Sequence, residues 1–151
     1  MTEVDVVDEV LVDRPIEMVW AAILDPATHA EWHPYVTAIQ GEHREGAIRT
    51  CSISVGSEPG RTDERCVELV PERAITWLIE DDSSDFGRKV SDWRSGFGLE
   101  RQDGATRVTA RSTFGPRGRV VRLLLPIVRW KFHRAQRTIL AGLKRAVESP
   151  N

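Results

Sequence analysis

The side chains in this sequence that could transfer a proton or stabilise a developing charge are few and lie far apart. His33 could titrate near neutral pH, which would let it act as a general acid or base. Arg65 and Arg94 could each stabilise an enolate if the side chain pointed into a binding site. These residues are the candidates for a catalytic role, and acid-base chemistry on a bound carbonyl compound is the reaction they would support.

Other kinds of catalytic centre are not indicated. His29 and His33 are four positions apart, but Pro34 follows directly and no third ligand is evident, so no metal site is predicted. The sequence has no G-x-S-x-G nucleophile elbow and no phosphate-binding glycine loop, and nucleophilic hydrolysis is therefore not indicated. No cofactor is predicted.

Length and composition are those of one ordinary globular domain. A chain of 151 residues can bury a substantial core, and we expect a single domain over residues 1–151. With 40% hydrophobic and 29% charged residues the composition is typical of a soluble protein, and no apolar run approaches the roughly 18 residues that span a bilayer. Residues 1–10 are acidic and lack the order of a signal peptide, so we expect a cytoplasmic protein.

The sequence contains only two cysteines, too few for a secreted disulfide framework. Cys51 and Cys66 are therefore expected to be free thiols on strands. An antiparallel pairing around a turn near Glu58 and Pro59 could place them opposite each other, but the sequence leaves the register open.

Charge is unevenly distributed along the chain. The net charge is −2, yet from Arg117 onward nine Lys and Arg residues accompany a single acid, Glu148. The basic C-terminal segment should be attracted to the acidic remainder, although exposed ion pairs contribute only about 0–1 kcal/mol each. The cations circle this segment without interleaved aromatic residues for base stacking, so nucleic acid is not an expected partner.

Periodicity predicts the elements that would position these residues. Alternating or β-branched segments predict strands, and spacings of three and four predict helices. The predicted elements are a strand at 3–12, helices at 16–23 and 27–32, strands at 35–39, 47–55, 65–70, 75–79, 93–99 and 108–114, and a helix at 117–148. Loops or turns are expected at 56–60, 71–73 and 102–104, with a flexible acidic loop at 81–88 and a break at 115–116.

The C-terminal helix carries two apolar stripes. The first is predicted to face the core and comprises Val121, Leu125, Val128, Phe132, Ala135, Ile139, Leu143 and Ala146. Pro126 removes a backbone donor, so the helix is expected to kink or restart there. The second stripe, Leu123, Ile127 and Trp130, could pack under a neighbouring loop, form a homodimer contact or touch a membrane surface.

A twisted antiparallel sheet that is covered by one helix should leave a cavity between the two. Aromatic side chains with few charges among them are expected there, as in pockets for apolar or aromatic ligands. Ser95 shares the alternation of Trp93 and Phe97, so its hydroxyl is the one small polar group expected in the cavity. The residues predicted to line the pocket are Trp32, Tyr35, Trp77, Trp93, Ser95, Phe97, Phe114, Leu125, Val128 and Phe132.

Motifs along nearly the whole chain resemble one protein superfamily. They are Val12-Asp13-Arg14-Pro15 leading to Val19-Trp20, Trp32-His33-Pro34-Tyr35, Gly41, Gly46, Val67-Glu68-Leu69-Val70-Pro71 before Trp77, Thr106-Arg107-Val108-Thr109, and the closing helix. With these the sequence resembles the helix-grip (SRPBCC) superfamily of START domains and plant pathogenesis-related proteins, and more closely its bacterial polyketide cyclase/dehydrase-like group. At His33 many relatives have asparagine, which would alter the pocket mouth if that asparagine has a role there.

The resemblance implies an α+β helix-grip fold of about six to seven strands with a long helix over the concave face. It also implies a hydrophobic cavity for lipids, polyketides, quinones or other ring compounds. Three functions remain open: a carrier or sensor of a small hydrophobic ligand, a polyketide cyclase or dehydratase, and a protein-interaction module acting through the basic helix. The aromatic lining and the few catalytic groups favour the first.

Overall fold

Seven strands and four α-helices make up the part of the chain described by the computed structural model, residues 3–55 and 58–149. The strands are β1 Val4–Val12, β2 Val36–Gln40, β3 Ile48–Val55, β4 Glu58–Val70, β5 Ala74–Asp82, β6 Val90–Gln102 and β7 Ala105–Pro116. The helices are α1 Ile16–Leu24, α2 Pro26–Trp32, α3 Arg119–Leu123 and α4 Leu125–Glu148, with a 3₁₀ turn at Asp85–Arg88.

The strands form one antiparallel sheet in the order β1-β7-β6-β5-β4-β3-β2. β1 and β2 lie on opposite edges, and α1 and α2 carry the chain from one edge to the other. α4 returns across the sheet and contacts mainly β1 and β7, at one side of it. This arrangement confirms the predicted α+β helix-grip fold.

The two short helices begin where the sequence signals predict. Pro15 stands immediately before α1, and its fixed φ suits a helix start. The Asp25 side chain accepts a hydrogen bond from the backbone N–H of Ala27 at 3.3 Å, which caps α2. Because α2 ends at Trp32, the following residue, His33, is held at the corner between α2 and β2.

The C-terminal helix is interrupted, as Pro126 predicts. α3 ends at Leu123, Leu124 has non-helical dihedral angles, and α4 restarts with Pro126 in its first turn. The helical segment begins at Arg119 rather than at 117, because β7 continues through Pro116. None of the helices in the described ranges is both long and apolar enough to cross a membrane.

The loops around the central hairpin are shorter than predicted. β4 begins at Glu58, so residues 58–60 of the predicted loop belong to a strand, while Gly56 and Ser57 lie outside the described residues. The acidic segment 81–88 is also partly regular, since β5 reaches Asp82 and a 3₁₀ turn follows. Sequence alternation is weak in both places because charged residues continue these strands beyond the core.

The cysteines do not lie opposite each other. Cys51 pairs with Thr62, whereas Cys66 pairs with Trp77 on the next strand. Both thiols are free and buried, and burial raises the pKa of Cys51 to about 12, so it stays protonated at neutral pH.

Two apolar clusters hold the helices on the sheet. The larger joins α1, α2 and the C-terminal half of α4 to the sheet, and Ile23, Ile75 and Leu143 are fully buried within it. The smaller cluster lies under the start of α4, where Val128 and Phe132 pack against Phe114. The predicted core stripe of the helix is therefore only partly correct: Leu140 and Val147 are buried, and Ala146 is exposed. The stripe shifts because the end of α4 also packs against α1 and α2.

A buried polar network fixes the middle of α4 to the sheet. The carboxylate of Asp8 on β1 accepts hydrogen bonds from His133 Nδ1 at 2.8 Å, Gln136 Nε2 at 2.8 Å and Arg137 Nε at 3.1 Å. The Ser112 hydroxyl on β7 donates to Gln136 Oε1 at 2.8 Å. Removing Gln136 would leave the buried hydroxyl of Ser112 without its acceptor, so the network fixes the position of α4 as well as adding stability.

The end of α2 lies directly against α4. A Cβ atom at Gly142 would lie only 2.9 Å from the backbone oxygen of Trp32, so the contact requires glycine. The indole N–H of Trp32 donates to the backbone oxygen of Ala22 at 2.8 Å. This packing sets where the next residue, His33, enters the space between sheet and helix.

Two phenylalanines test the packing under α4. Phe114 is fully buried, so Phe114→Ala should lower the free energy of unfolding by about 3–5 kcal/mol. Phe132 is half-buried beside a cavity, so Phe132→Ala should cost distinctly less. Chemical denaturation of both variants measures the two losses, and equal losses would contradict the difference in burial.

Candidate functional site

A cavity of about 190 Å³ lies between the sheet and α4. Its lining comes from α2, β3, β5, β6, β7 and α4 and consists of His29, His33, Arg49, Trp77, Trp93, Ser95, Gly96, Phe97, Ala110, Ser112, Phe132, Ala135, Gln136 and Ile139. A more open recess of about 540 Å³ adjoins it and shares four of these residues, His33, Arg49, Trp93 and Ser95. A cavity with an adjoining recess is the usual form of a small-molecule site.

Strand register explains which polar groups enter the cavity. Ser95 pairs directly with Trp77 on β5 and with Ser112 on β7. Directly paired residues of an antiparallel sheet share a face, so the Ser95 hydroxyl lies on the cavity side. Arg49 on β3 pairs with Glu64 on β4 in the same way, which brings both charges to this face.

Arg49 is buried and is held by three neighbours. Its Nε and Nη2 donate to Glu64 Oε1 at 3.0 and 2.7 Å, and its Nη1 lies 2.8 Å from His43 Nε2. Its guanidinium carbon lies 3.6 Å from the centre of the Trp77 ring. Glu64 also accepts a hydrogen bond from the Thr62 hydroxyl at 2.7 Å. The cation is thus neutralised and oriented by the protein before any ligand arrives.

His33 is fixed in one neutral tautomer. Its Nδ1 accepts hydrogen bonds from the backbone N–H groups of Tyr35 and Val36, both at 3.1 Å, so Nε2 carries the hydrogen. Burial, with the charge of Arg49 as a second cause, lowers the pKa of His33 to about 3. The expectation that His33 titrates near neutral pH is therefore wrong, because the ring is largely buried and close to a cation.

The neighbouring histidines are neutral as well. His29 Nδ1 lies 2.9 Å from the backbone oxygen of Ile23, which makes Nδ1 the donor and leaves a lone pair on Nε2. Burial and then Arg49 lower the pKa of His29 well below its usual value, and the same causes lower the pKa of His43 to about 4. The rings of His29 and His33 stack with centres 5.5 Å apart. The polar end of the cavity is therefore rich in hydrogen-bonding groups and poor in net charge.

Two indole groups at the cavity have unused donors. The Nε1 atoms of Trp77 and Trp93 are buried, and neither has a hydrogen-bond partner among the described residues. Trp77 lines the cavity, and Trp93 lines both the cavity and the recess. A buried N–H without a partner costs about 1–3 kcal/mol, so an acceptor atom that reached either group would be stabilised.

The residues predicted to line the pocket divide into two groups. Tyr35 lines the recess, and Trp77, Trp93, Ser95, Phe97 and Phe132 line the cavity or the recess. The others, Trp32, Phe114, Leu125 and Val128, pack within the apolar clusters and are not part of either lining. Alternation indicates the correct face for Phe114, but the end of the sheet where it lies is filled by α4 and the 3₁₀ turn. Whether the lining residues bind a ligand stays a prediction.

The two candidate arginines lie away from the cavity. Arg65 bonds to Glu80 at 3.0 Å and to the backbone oxygen of Gly46 at 3.0 Å, and it is partly exposed. Arg94 bonds to Asp92 and lines a depression of about 570 Å³ on the opposite face of the sheet. Their strand positions have the parity of that opposite face, so neither can reach a compound bound under α4.

The residues at the polar end of the cavity that sequence reasoning missed are Arg49, Glu64 and His29. Arg49 has the same parity as Cys51 and Ile53, so a cation interrupts an otherwise apolar face of β3. That interruption was a usable signal, because a charge at an inward position of a strand requires a partner. Glu64 could not be assigned as the partner without the register of β3 on β4.

Comparison with known families gives one match over nearly the whole chain. The model of the family described as polyketide cyclase / dehydrase and lipid transport matches residues 3–148. A comparison with curated proteins gave no match.

Solved structures share the fold at low sequence identity. An aromatase/cyclase, Zhui, from Streptomyces sp. R1128 is 18% identical, with 98% of each chain covered and a TM-score of 0.73. A protein from Thermus thermophilus is 17% identical, with 95% of this chain and 97% of that chain covered and a TM-score of 0.75. The ginseng major latex-like protein 151 from Panax ginseng is 10% identical, with 97% and 96% covered and a TM-score of 0.73. At these identities the likeness shows the fold alone.

The buried histidines predict a loss of stability in mild acid. In the unfolded chain a histidine takes up a proton near pH 6.5, whereas the pKa is about 3 for folded His33 and about 4 for folded His43. Between these values the unfolded state binds more protons, so the free energy of unfolding falls as the pH is lowered. Each histidine contributes up to about 1.4 kcal/mol per pH unit in this window.

The variant His33→Asn isolates one share of this effect. An asparagine oxygen can still accept from the N–H groups of Tyr35 and Val36, so the variant should fold. Denaturant unfolding at about pH 7 and about pH 5 measures the free energy of unfolding at each pH. The difference between the two values should be smaller in the variant than in the wild type, by the contribution of one histidine. An unchanged pH dependence would mean that the pKa of His33 is the same in the folded and the unfolded chain.

Proposed function

The chain belongs to the polyketide cyclase / dehydrase and lipid transport family, and we propose that it binds a small, mostly apolar ring compound between the sheet and α4. The compound carries a neutral hydrogen-bond acceptor such as a keto, quinone or phenol oxygen. The single observation that carries this proposal is the pair of buried indole N–H groups, on Trp77 and Trp93, that lack partners among the described residues.

The lining supports a ring-shaped ligand. Trp77 on the sheet and Ile139 on α4, together with Trp93 and Phe132, whose rings meet edge to face with centres 6.1 Å apart, give an apolar lining that suits contact with a planar ring. The lining also carries the polar side chains of His29, His33 and Arg49, and the Nε2–H of His33 is among their donors. Such a division into apolar walls and a few convergent polar groups is typical of small-molecule sites.

Charge balance favours a neutral acceptor over an anion. Arg49 is the cation at the cavity, and Glu64 already accepts two of its hydrogen bonds. A carboxylate ligand would have to compete with Glu64 or be buried beside it, and a second buried negative charge is costly. A ketone or quinone oxygen needs only a hydrogen bond, which the indoles, His33 and Ser95 can supply.

A second candidate function is cyclisation or dehydration of a polyketide-like chain. It is favoured by the complementary tautomers of two stacked histidines, because His33 presents an N–H and His29 keeps a lone pair. A donor and an acceptor on one dry cavity are the minimum for enolisation. This function ranks second because the low pKa of His33, about 3, suits it to hydrogen-bonding an enolate rather than to giving up a proton.

Ligand binding can be tested with a matched pair of probes. Anthraquinone and anthracene have the same three-ring shape, but only the first carries carbonyl oxygens. Tryptophan fluorescence titration should show at least tenfold tighter binding of anthraquinone, which corresponds to about one neutral hydrogen bond. Trp93→Phe keeps an aromatic wall and removes one N–H, so it should reduce the affinity ratio toward one.

Trp130→Phe is the matched control, since Trp130 is exposed on α4 and is not part of the cavity or recess lining. Its affinity ratio should equal that of the wild type. Equal binding of both probes by the wild type, or binding of neither, would overturn the proposed acceptor site. Native mass spectrometry of protein purified from its own host would then reveal any compound that co-purifies.

The enzymatic alternative makes a separate prediction. Added to a minimal polyketide synthase, the protein should shift the products from spontaneous shunt compounds to one regular cyclised compound. His33→Ala should lower that activity by about a hundredfold, the usual cost of one lost oxyanion donor. Trp130→Phe should leave it unchanged. A product profile that wild-type protein does not alter would exclude this function.

A further inference from the structure

The outer side of α3 and of the first turns of α4 carries an exposed apolar surface. Leu123 is 82% exposed, Trp130 57% and Ile127 53%. Val120 and Leu124 are exposed beside them. We call these five residues the outer patch. The predicted stripe Leu123, Ile127 and Trp130 is thus not packed under a loop of the described chain.

The outer patch is not a by-product of core packing. Val121, Val128 and Phe132 are buried or half-buried over the sheet. The helical segment therefore carries a second apolar stripe, displaced from the buried one by about a third of a turn, which an ordinary surface helix does not have. Val120 and Leu123 lie on α3, and Ile127 and Trp130 lie on the first turns of α4, so the exposed side chains flank the break at Leu124 from both sides.

Positive charge surrounds the outer patch. Arg119, Arg122 and Arg129 lie in the same turns, with Lys131 and Arg134 just beyond Trp130, and all are exposed. The sequence contains no Asp or Glu between residues 104 and 147. The guanidinium carbon of Arg134 lies 5.5 Å from the centre of the Trp130 ring. An occupant of this surface must therefore accept apolar side chains and carry negative charge.

We propose that the outer patch docks this protein on the surface of an anionic lipid bilayer. A helix with exposed Leu, Ile and Trp on one side and Lys and Arg at its borders is suited to lie in the plane of such a surface. The apolar side chains enter the boundary of the hydrocarbon, Trp130 lies at the interface, and the cations meet the lipid phosphates. Membrane contact is by surface attachment, since none of the described helices can span a bilayer.

A second copy of the chain is a poorer occupant than lipid. A symmetric dimer through the outer patch would bring the same surface of both subunits together. The interface would then bring the arginines of one subunit, Arg119, Arg122 and Arg129, close to the same arginines of the other subunit. Like charges at an interface are costly. The homodimer is accordingly an outcome that the test must separate from lipid binding.

The position of the patch relates it to the cavity. Phe132, Ala135 and Ile139 on the inner side of α4 line the cavity, and the outer patch occupies a neighbouring, exposed side of the preceding turns. Docking would thus place the helix that covers the cavity against the membrane. The inference itself rests on the outer patch alone, so it holds or fails independently of the ligand in the cavity.

Vesicle co-sedimentation tests the docking surface. The full chain should bind vesicles of phosphatidylcholine mixed with phosphatidylglycerol and should bind pure phosphatidylcholine much more weakly. The double variant Leu123→Ser, Ile127→Ser and the variant Arg122→Glu should each weaken binding by about tenfold. Raising the salt concentration should also weaken vesicle binding by the wild-type chain, because salt screens the charges and the Debye length is only about 10 Å at 0.1 M.

Matched controls lie elsewhere on the surface. Met18→Ser removes an exposed apolar side chain on α1, and Arg73→Glu reverses an exposed charge in the turn after β4; both should bind as the wild type does. Circular dichroism and thermal unfolding establish that each variant folds. Equal binding to both vesicle types, or loss of binding in the controls as large as in the patch variants, would overturn the proposal. So would a dimer in analytical ultracentrifugation that the Leu123 and Ile127 variant abolishes while vesicle binding is unaffected.

Discussion

The whole cavity depends on one constraint, which is that a single helix has to cover a sheet of seven strands. α4 is fixed to one side of the sheet by the Asp8 network and by its apolar contacts with β1 and β7. The sheet twists, so its middle strands diverge from a straight helix that is held at the edge. Trp77, Trp93 and Phe97 partly fill the space that results, and the remainder is the cavity.

The polar end of this space is arranged so that it can remain dry without carrying net charge. Arg49 would be costly to bury alone, but Glu64 neutralises it and His43 holds its remaining side. The same cation and the same burial keep His29 and His33 neutral. The cavity therefore offers directional hydrogen bonds with little electrostatic attraction, a combination that selects by shape and by acceptor position.

The break before α4 gives the C-terminal segment two roles. Leu124 interrupts the helix, and α3 buries Val121 while its other side remains exposed. The long second helix buries a different set of residues against α1 and α2. A single apolar stripe could not serve both α3 and α4, because the two helices bury residues against different neighbours. The sequence accordingly carries two apolar stripes.

The sequence by itself determined the elements, their order and the faces of most strands, because alternation and helical spacing are local properties. It was sufficient to place Ser95 inward, to interrupt the helix at Pro126 and to indicate the family. Tertiary structure alone decided what depends on depth and on distant partners. Parity put Phe114 and Trp77 on the same face and both are buried, but only packing left Trp77 beside a cavity and Phe114 away from it. Likewise, Arg49 can be buried only because Glu64 on the next strand neutralises it. His33 has a low pKa because it is buried near Arg49. No local sequence pattern encodes either contact.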